Sequence, residues 1–182
     1  MRSIEKKEER LKHVDMHDYF LDRIKNDMKN GNYIEASWLI YSCLENRYFR
    51  TLQKYRDKCD YCRSKSKCNH TLKNELALVT KVKCVKRLYE NNVPCIKNCF
   101  RYELFDETIK WIEKRNALMH ELLSLEYYQD TDNRFEDSAK VGFDILMETY
   151  KSCTGFRKAF FDNGYVFDFP KPAMDGCKCK PK

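Results

Sequence analysis

Arg115, Asn116 and His120 are the residues of this chain whose types and spacing best suit proton transfer at a phosphate. An imidazole titrates at about 6.5 when unperturbed, so it can take and return a proton near neutral pH. A guanidinium stays charged and presents a planar fork that fits two phosphate oxygens. Asn116 lies four residues before His120, hence one helical turn away on the same face, where its amide could hold the imidazole in one tautomer. Such a set suits RNA transesterification. There the 2′-hydroxyl attacks the neighbouring phosphorus, a base takes its proton, an acid protonates the leaving oxygen, and a cation stabilises the crowded phosphorane. None of those steps requires a metal. The plain structural alternative stays open: Arg115 pairs with a core carboxylate such as Glu45, and His120 is a packed helix histidine.

A second group is Cys59-x2-Cys62-x5-Cys68-x-His70. Thiolates and imidazole are the ligands zinc prefers, and four of them so close together could form a local tetrahedral site. The alternative is free thiols in a lysine-rich loop. Lys58, Arg63, Lys65 and Lys67 would favour thiolate, and so either metal binding or oxidation. Cys95-x3-Cys99 cannot easily join this set, because the intervening helix of about 19 residues, roughly 28 Å long, separates the two loops.

The elements that must position these residues are helices. Only 5 Gly and 4 Pro occur in 182 residues, too few for a fold built on tight turns. Apolar residues recur at helical spacing over about Asp15–Asn30, Tyr33–Arg56, Leu72–Glu90, Tyr102–Tyr127 and Arg134–Phe160. Asp15 can cap the first of these, Gly31 ends it, and Asn91-Asn92-Val93-Pro94 stops the third. Gln129–Asn133 reads as a polar connection, and Gly142 and Gly155 as weak points of the last helix. The fourth helix carries two apolar stripes, one with Phe105, Ile109, Ile112 and Met119, the other with Leu104, Trp111, Leu118 and Leu122. Asn116 interrupts the first and Arg115 the second. Two stripes suggest packing on two sides, one of them free for a partner. Glu45 interrupts the stripe Trp38, Tyr41, Tyr48, Leu52, Tyr55 of the second helix. The expected fold is all-α: an antiparallel bundle of about five helices over residues 15–164, preceded by a charged segment at 1–14. A Cys-rich insertion at 57–70 interrupts it, and an extended tail at 165–182 follows.

The sequence Arg115-Asn116-x3-His120 resembles the R-x4-6-H motif, usually opening with Arg-Asn, of the HEPN (higher eukaryotes and prokaryotes nucleotide-binding) domains. Arg10-x6-His17 and Arg63-x6-His70 fit the looser spacing, but only Arg115 is followed by Asn within a strong amphipathic helix. The run Ala36–Glu45 is similar to the early HEPN helix that ends in an acidic residue near the motif. The resemblance implies a small helical bundle acting as a metal-independent endoribonuclease. It implies a homodimer whose two motifs share one groove, with Arg115, Asn116, His120 and Glu45 at the site. It also implies a toxin or anti-phage setting, with RNA as substrate and an antitoxin or regulatory RNA as a further partner. The alternative from another class is a zinc-stabilised RNA-binding module without catalysis.

Composition narrows the remaining classes. Apolar residues make up 42% of the chain and charged residues 35%, which fits one water-facing domain with a real core. No uncharged apolar run reaches the roughly 18 residues of a membrane span, and the first ten residues lack the apolar region of a secretory signal. Ten cysteines without such a signal point to a reducing cytoplasm, with Cys43, Cys84 and Cys153 as small buried hydrophobes. The net charge of +7 is compatible with a polyanion such as RNA. No nucleophile elbow or Cys-His-Asn pattern supports a hydrolase of those types.

Overall fold

The computed structural model describes residues 18–58, 77–122 and 128–162. Gly31 and Asn92, both with positive φ, end two of its helices. Residues 18–29 form α1. Its last turn closes through Gly31 N–H to Met28 O at 3.3 Å and Asn32 N–H to Asp27 O at 2.8 Å, with Gly31 at φ 79°. Glycine meets no Cβ penalty in that left-handed position. Tyr33–Lys58 is α2, and Leu78–Glu90 is α3. Past α3, Asn92 takes φ 57°, and Val93 N–H returns to Leu88 O at 3.1 Å. Pro94 then opens the short α4, Pro94–Lys97, at a position where its missing N–H costs nothing. Tyr102–Glu121 is α5, and Tyr128–Asp162 is α6. Among the described residues there is no β-strand, and no helix is long and apolar enough to cross a membrane.

The all-α bundle expected from the periodicity is what forms. The second helix starts where its pattern does, and α3 ends at Glu90 as expected. Three boundaries differ by several residues. The third helix starts at Leu78, after the non-helical Ala77, not at Leu72. The motif helix ends at Glu121, not at Tyr127. Residues 129–133, expected to be a connection, belong to α6. That stretch is polar but contains no Gly or Pro, and a solvated first turn of a helix is polar too. The charged segment 1–14, the Cys-rich insertion around 59–70 and the tail 165–182 lie outside the described residues.

Ala36, Ile40, Leu44, Tyr48 and Leu52 recur every fourth residue along α2 and are all buried. They make α2 the central column, packed most extensively on α6 and next on α3. Pairings fix the helix directions. Arg47 lies on Tyr150, Thr51 Oγ1 lies 3.4 Å from Cys153 Sγ, and Tyr33 lies close enough to Glu136 to feel its charge. The sequence offset is nearly the same at each pair, so α2 and α6 run side by side in the same direction. The α5 helix runs against both. Tyr48 Oη meets Thr108 Oγ1 at 3.4 Å, Arg101 reaches Glu148, and Glu121 is ion-paired with Arg134. It also opposes α3, through Lys86–Asp106 at 2.6 Å and the Tyr89–Tyr102 ring contact.

Gly142 is a contact rather than a weak point. A Cβ there would stand 2.5–2.6 Å from the Trp111 indole, whose Nε1–H donates to Ser138 O at 2.8 Å. Only glycine lets α6 come that close to the ring. Cys84 and Cys153 are buried and Cys43 is half-buried, all as free thiols, matching the small-hydrophobe reading.

Candidate functional site

Arg115 occupies the core-facing stripe of α5. It follows Leu104, Thr108 and Trp111 and precedes Leu118 at helical spacing, and all five are buried. This corrects the expectation of a free second stripe. Trp111 and Leu118, 3% and 0% exposed, are covered within one chain, so they offer no surface to a second copy. The reason is that α5 packs against both α3 and α6, which cover Trp111 and Leu118.

The Arg115 guanidinium lies 4.5 Å from the centre of the Trp38 ring and 5.0 Å from that of Tyr41, both on α2. A desolvated cation on two aromatic faces gains about 2 kcal/mol or more. Its Nη1 donates to Asn116 Oδ1 at 3.1 Å. Nε and Nη2 are buried and have no hydrogen-bond partner among the described residues. These two atoms form one edge of the guanidinium, the edge that takes two oxygens of a carboxylate or phosphate together. Burial pushes the pKa down, with Tyr41 opposing, yet an arginine keeps its proton.

The structure brings Arg115 and Asn116 together and leaves His120 apart. Asn116, expected to orient the imidazole, accepts from the arginine instead. His120 is exposed in the last turn of α5, five residues and so about 140° around the helix from Arg115. Glu45 does not pair with Arg115. Its Oε1 accepts from Lys81 Nζ at 2.8 Å, and Lys81 is 2% exposed. Glu45 sits one helical turn beyond Tyr41, on the side of α2 that faces α3. A buried lysine needs that carboxylate more than Arg115 does, because its compact ammonium holds water tightly while the flat guanidinium can rest on rings. Lys81 escaped the sequence reading, although it falls between Leu78, Val82 and Val85 on a buried stripe.

Cys59, Cys62, Cys68 and His70 lie outside the described residues. Among the described residues no cluster of His, Cys, Asp or Glu is placed to hold a metal ion. Cys95 and Cys99 are free thiols, and Cys99 packs against Gly155 of α6.

No protein family, no characterised protein and no solved structure matches the chain.

Proposed function

We propose that the protein binds RNA and cleaves it without a catalytic metal, as the resemblance to HEPN ribonucleases implies. The supporting observation is Arg115, a permanent cation held out of water with a complete two-oxygen donor edge unpaired. A buried unsatisfied donor costs about 1–3 kcal/mol, and an anion supplied from outside would recover it. In this reading Arg115 grips the scissile phosphate and Asn116 steadies the guanidinium. Trp38, about half exposed, shifts to admit the phosphate.

His120 takes the proton of the 2′-hydroxyl as its oxygen bonds to phosphorus. The bond from phosphorus to the 5′-oxygen breaks, and that oxygen gains a proton. The products are a 2′,3′-cyclic phosphate and a 5′-hydroxyl. Arg115 and His120 sit on different sides of α5, which favours a phosphate shared between two copies over one held within a single chain. A homodimer, each copy lending its histidine to the other's arginine, completes the site. Glu45 contributes indirectly, by neutralising the buried Lys81 one turn beyond Tyr41. A structural zinc at Cys59, Cys62, Cys68 and His70, a cytoplasmic toxin or anti-phage role, and an antitoxin or regulatory RNA as partner belong to the same reading.

The test is cleavage of total RNA by wild-type protein, with light scattering on the same sample. The expected result is a dimer whose cutting survives brief chelation and ends in cyclic phosphate. His120→Ala should lower the rate by a factor of about 100 or more, the scale of lost acid–base catalysis. Equal rates for wild type and His120→Ala would remove His120 from the reaction. A protein that binds RNA but never cuts it would favour the non-catalytic module, which the separation of His120 from Arg115 within one chain already suits.

A further inference from the structure

Three arginines gather on the opposite side of α2 from Trp38 and Tyr41, in the furrow where α2 and α6 run in parallel. Arg47 is half-buried, with its guanidinium 4.1 Å from the centre of the Tyr150 ring. Arg50 lies one turn further along α2, exposed, with only a 3.5 Å contact to Gln53 Oε1. Arg157 of α6 is exposed and lies near enough to this stretch for its charge to act on Arg47 and Lys54. Among the described residues none of the three is in an ion pair, whereas Arg23, Arg101 and Arg134 each hold a carboxylate. Burial brings the pKa of Arg47 down to about 10; Cys153 opposes this, and Arg157 and Arg50 lie close enough to add smaller lowering effects. Among the described residues no carboxylate is ion-paired with Arg47. Lys54 adds a fourth cation, itself depressed by burial first and then by Arg157.

Like charges gathered this closely destabilise the free protein, and a polyanion in the furrow would reverse the sign. We propose that the α2–α6 furrow lined by Arg47, Arg50 and Arg157 binds the phosphodiester backbone of single-stranded RNA. Guanidinium forks match phosphate oxygens, and arginine is the residue best shaped for them. From Arg47 to Lys54 the strip runs roughly 10 Å, about three nucleotides at a stacked rise of 3.4 Å. A membrane surface fits less well. Among the described residues the exposed large apolar side chains are Tyr19, Trp38 and Val141, and none of these lies in the furrow to enter a bilayer. The proposal rests on the function above only for the choice of RNA among polyanions.

The test is fluorescence anisotropy with a short 2′-O-methyl RNA strand, which cannot undergo attack by its own hydroxyl, over a range of salt. Wild-type affinity should fall with salt, with a slope of about 0.7 per phosphate neutralised. The double variant Arg50→Gln/Arg157→Gln should bind at least about tenfold more weakly, with the slope reduced by about 1.4. Arg134→Gln, which removes a paired arginine, should bind within about twofold of wild type. Both furrow residues are exposed, so the double variant should keep its helical circular dichroism. If it does not fold, Arg157→Gln alone carries the test, with half the change in slope. Unchanged affinity and slope would overturn the proposal. So would arginine-dependent binding to phosphatidylserine vesicles or polyglutamate without binding to the RNA strand. A wild type that binds the methylated strand through these arginines yet cuts no RNA overturns the cleavage reading and leaves the furrow standing. A wild type that cuts RNA while the double variant binds unchanged overturns the furrow alone.

Discussion

Two sets of arginines in the bundle meet opposite surroundings. Where α5 begins, Arg101 reaches Glu107 at 2.7–2.9 Å and Glu148 at 2.9 Å, and Glu148 first and Glu107 next raise its pKa above the ordinary value. It is a strap between α5 and α6. Around α2, Arg115 rests on rings with an edge unpaired, and Arg47, Arg50 and Arg157 face one another without a carboxylate. Both sets are local consequences of the same fold, so composition does not separate them. What separates them is whether the donors are already spent. Arginines with satisfied donors hold helices together, and those with open donors remain able to bind an anion.

The sharpest way to break this comparison is to replace Arg115 and Arg101 by methionine in turn. Arg115→Met should lower RNA cleavage by a factor of about 100 or more, the scale of a lost electrostatic contact to the reacting group. It should nonetheless raise the melting temperature, because a buried unsatisfied cation becomes an apolar side chain of similar length. Arg101→Met should leave cleavage within about twofold and lower the melting temperature only slightly, since solvent screens its ion pairs. A large loss of stability in Arg115→Met would make the aromatic contact structural and end the contrast.

A smaller effect tests how tightly the strapped side is packed. Gly142→Ala would ordinarily stabilise a helix by about 1 kcal/mol. Here the added methyl meets a Trp111 ring fixed by its hydrogen bond to Ser138, so the variant should lose about 1–3 kcal/mol in urea unfolding. A gain would mean that the indole moves freely.

The smallest effect is alkaline. Burial raises the Cys43 thiol to about 11, and burial first, then Cys99, raise Cys95 to about 12, against an ordinary value of 9.0. The unfolded chain therefore loses these protons first as pH rises. Their contribution is full below about pH 9 and disappears as pH climbs through 11 to 12. The melting temperature should fall by a few degrees between about pH 8 and pH 10, and Cys95→Ala should flatten that fall. A flat profile in the wild type would show these thiols to be open to water.

Much of the fold was legible because its punctuation is local. Gly31 and the Asn91–Pro94 stretch stop helices for reasons contained within a few residues. Arg115 was legible too, as a charge spaced with Trp111 and Leu118 on one stripe. Its surroundings were not. Whether Glu45 meets Arg115 or Lys81 depends on how α2 is rotated against α3 and α5, and periodicity within a helix carries no information about rotation between helices. The furrow was hidden for the same reason. Arg47 and Arg157 are neighbours only because α2 and α6 are in register, and nothing within either segment encodes that register.

The parallel pairing of α2 and α6 also bears on how the chain folds. Neighbours in that interface, such as Thr51 and Cys153, are about 100 residues apart in sequence, a non-local contact for a helical protein. Closing it late should make refolding slower than that of a bundle whose adjacent helices are consecutive. During synthesis, at roughly 5–20 residues per second, the apolar side of α2 must wait about 5–20 s for α6 to be made. Through that interval Ile40 and Leu44 lack their final covering, so the newborn chain is most exposed to aggregation before its last long helix emerges.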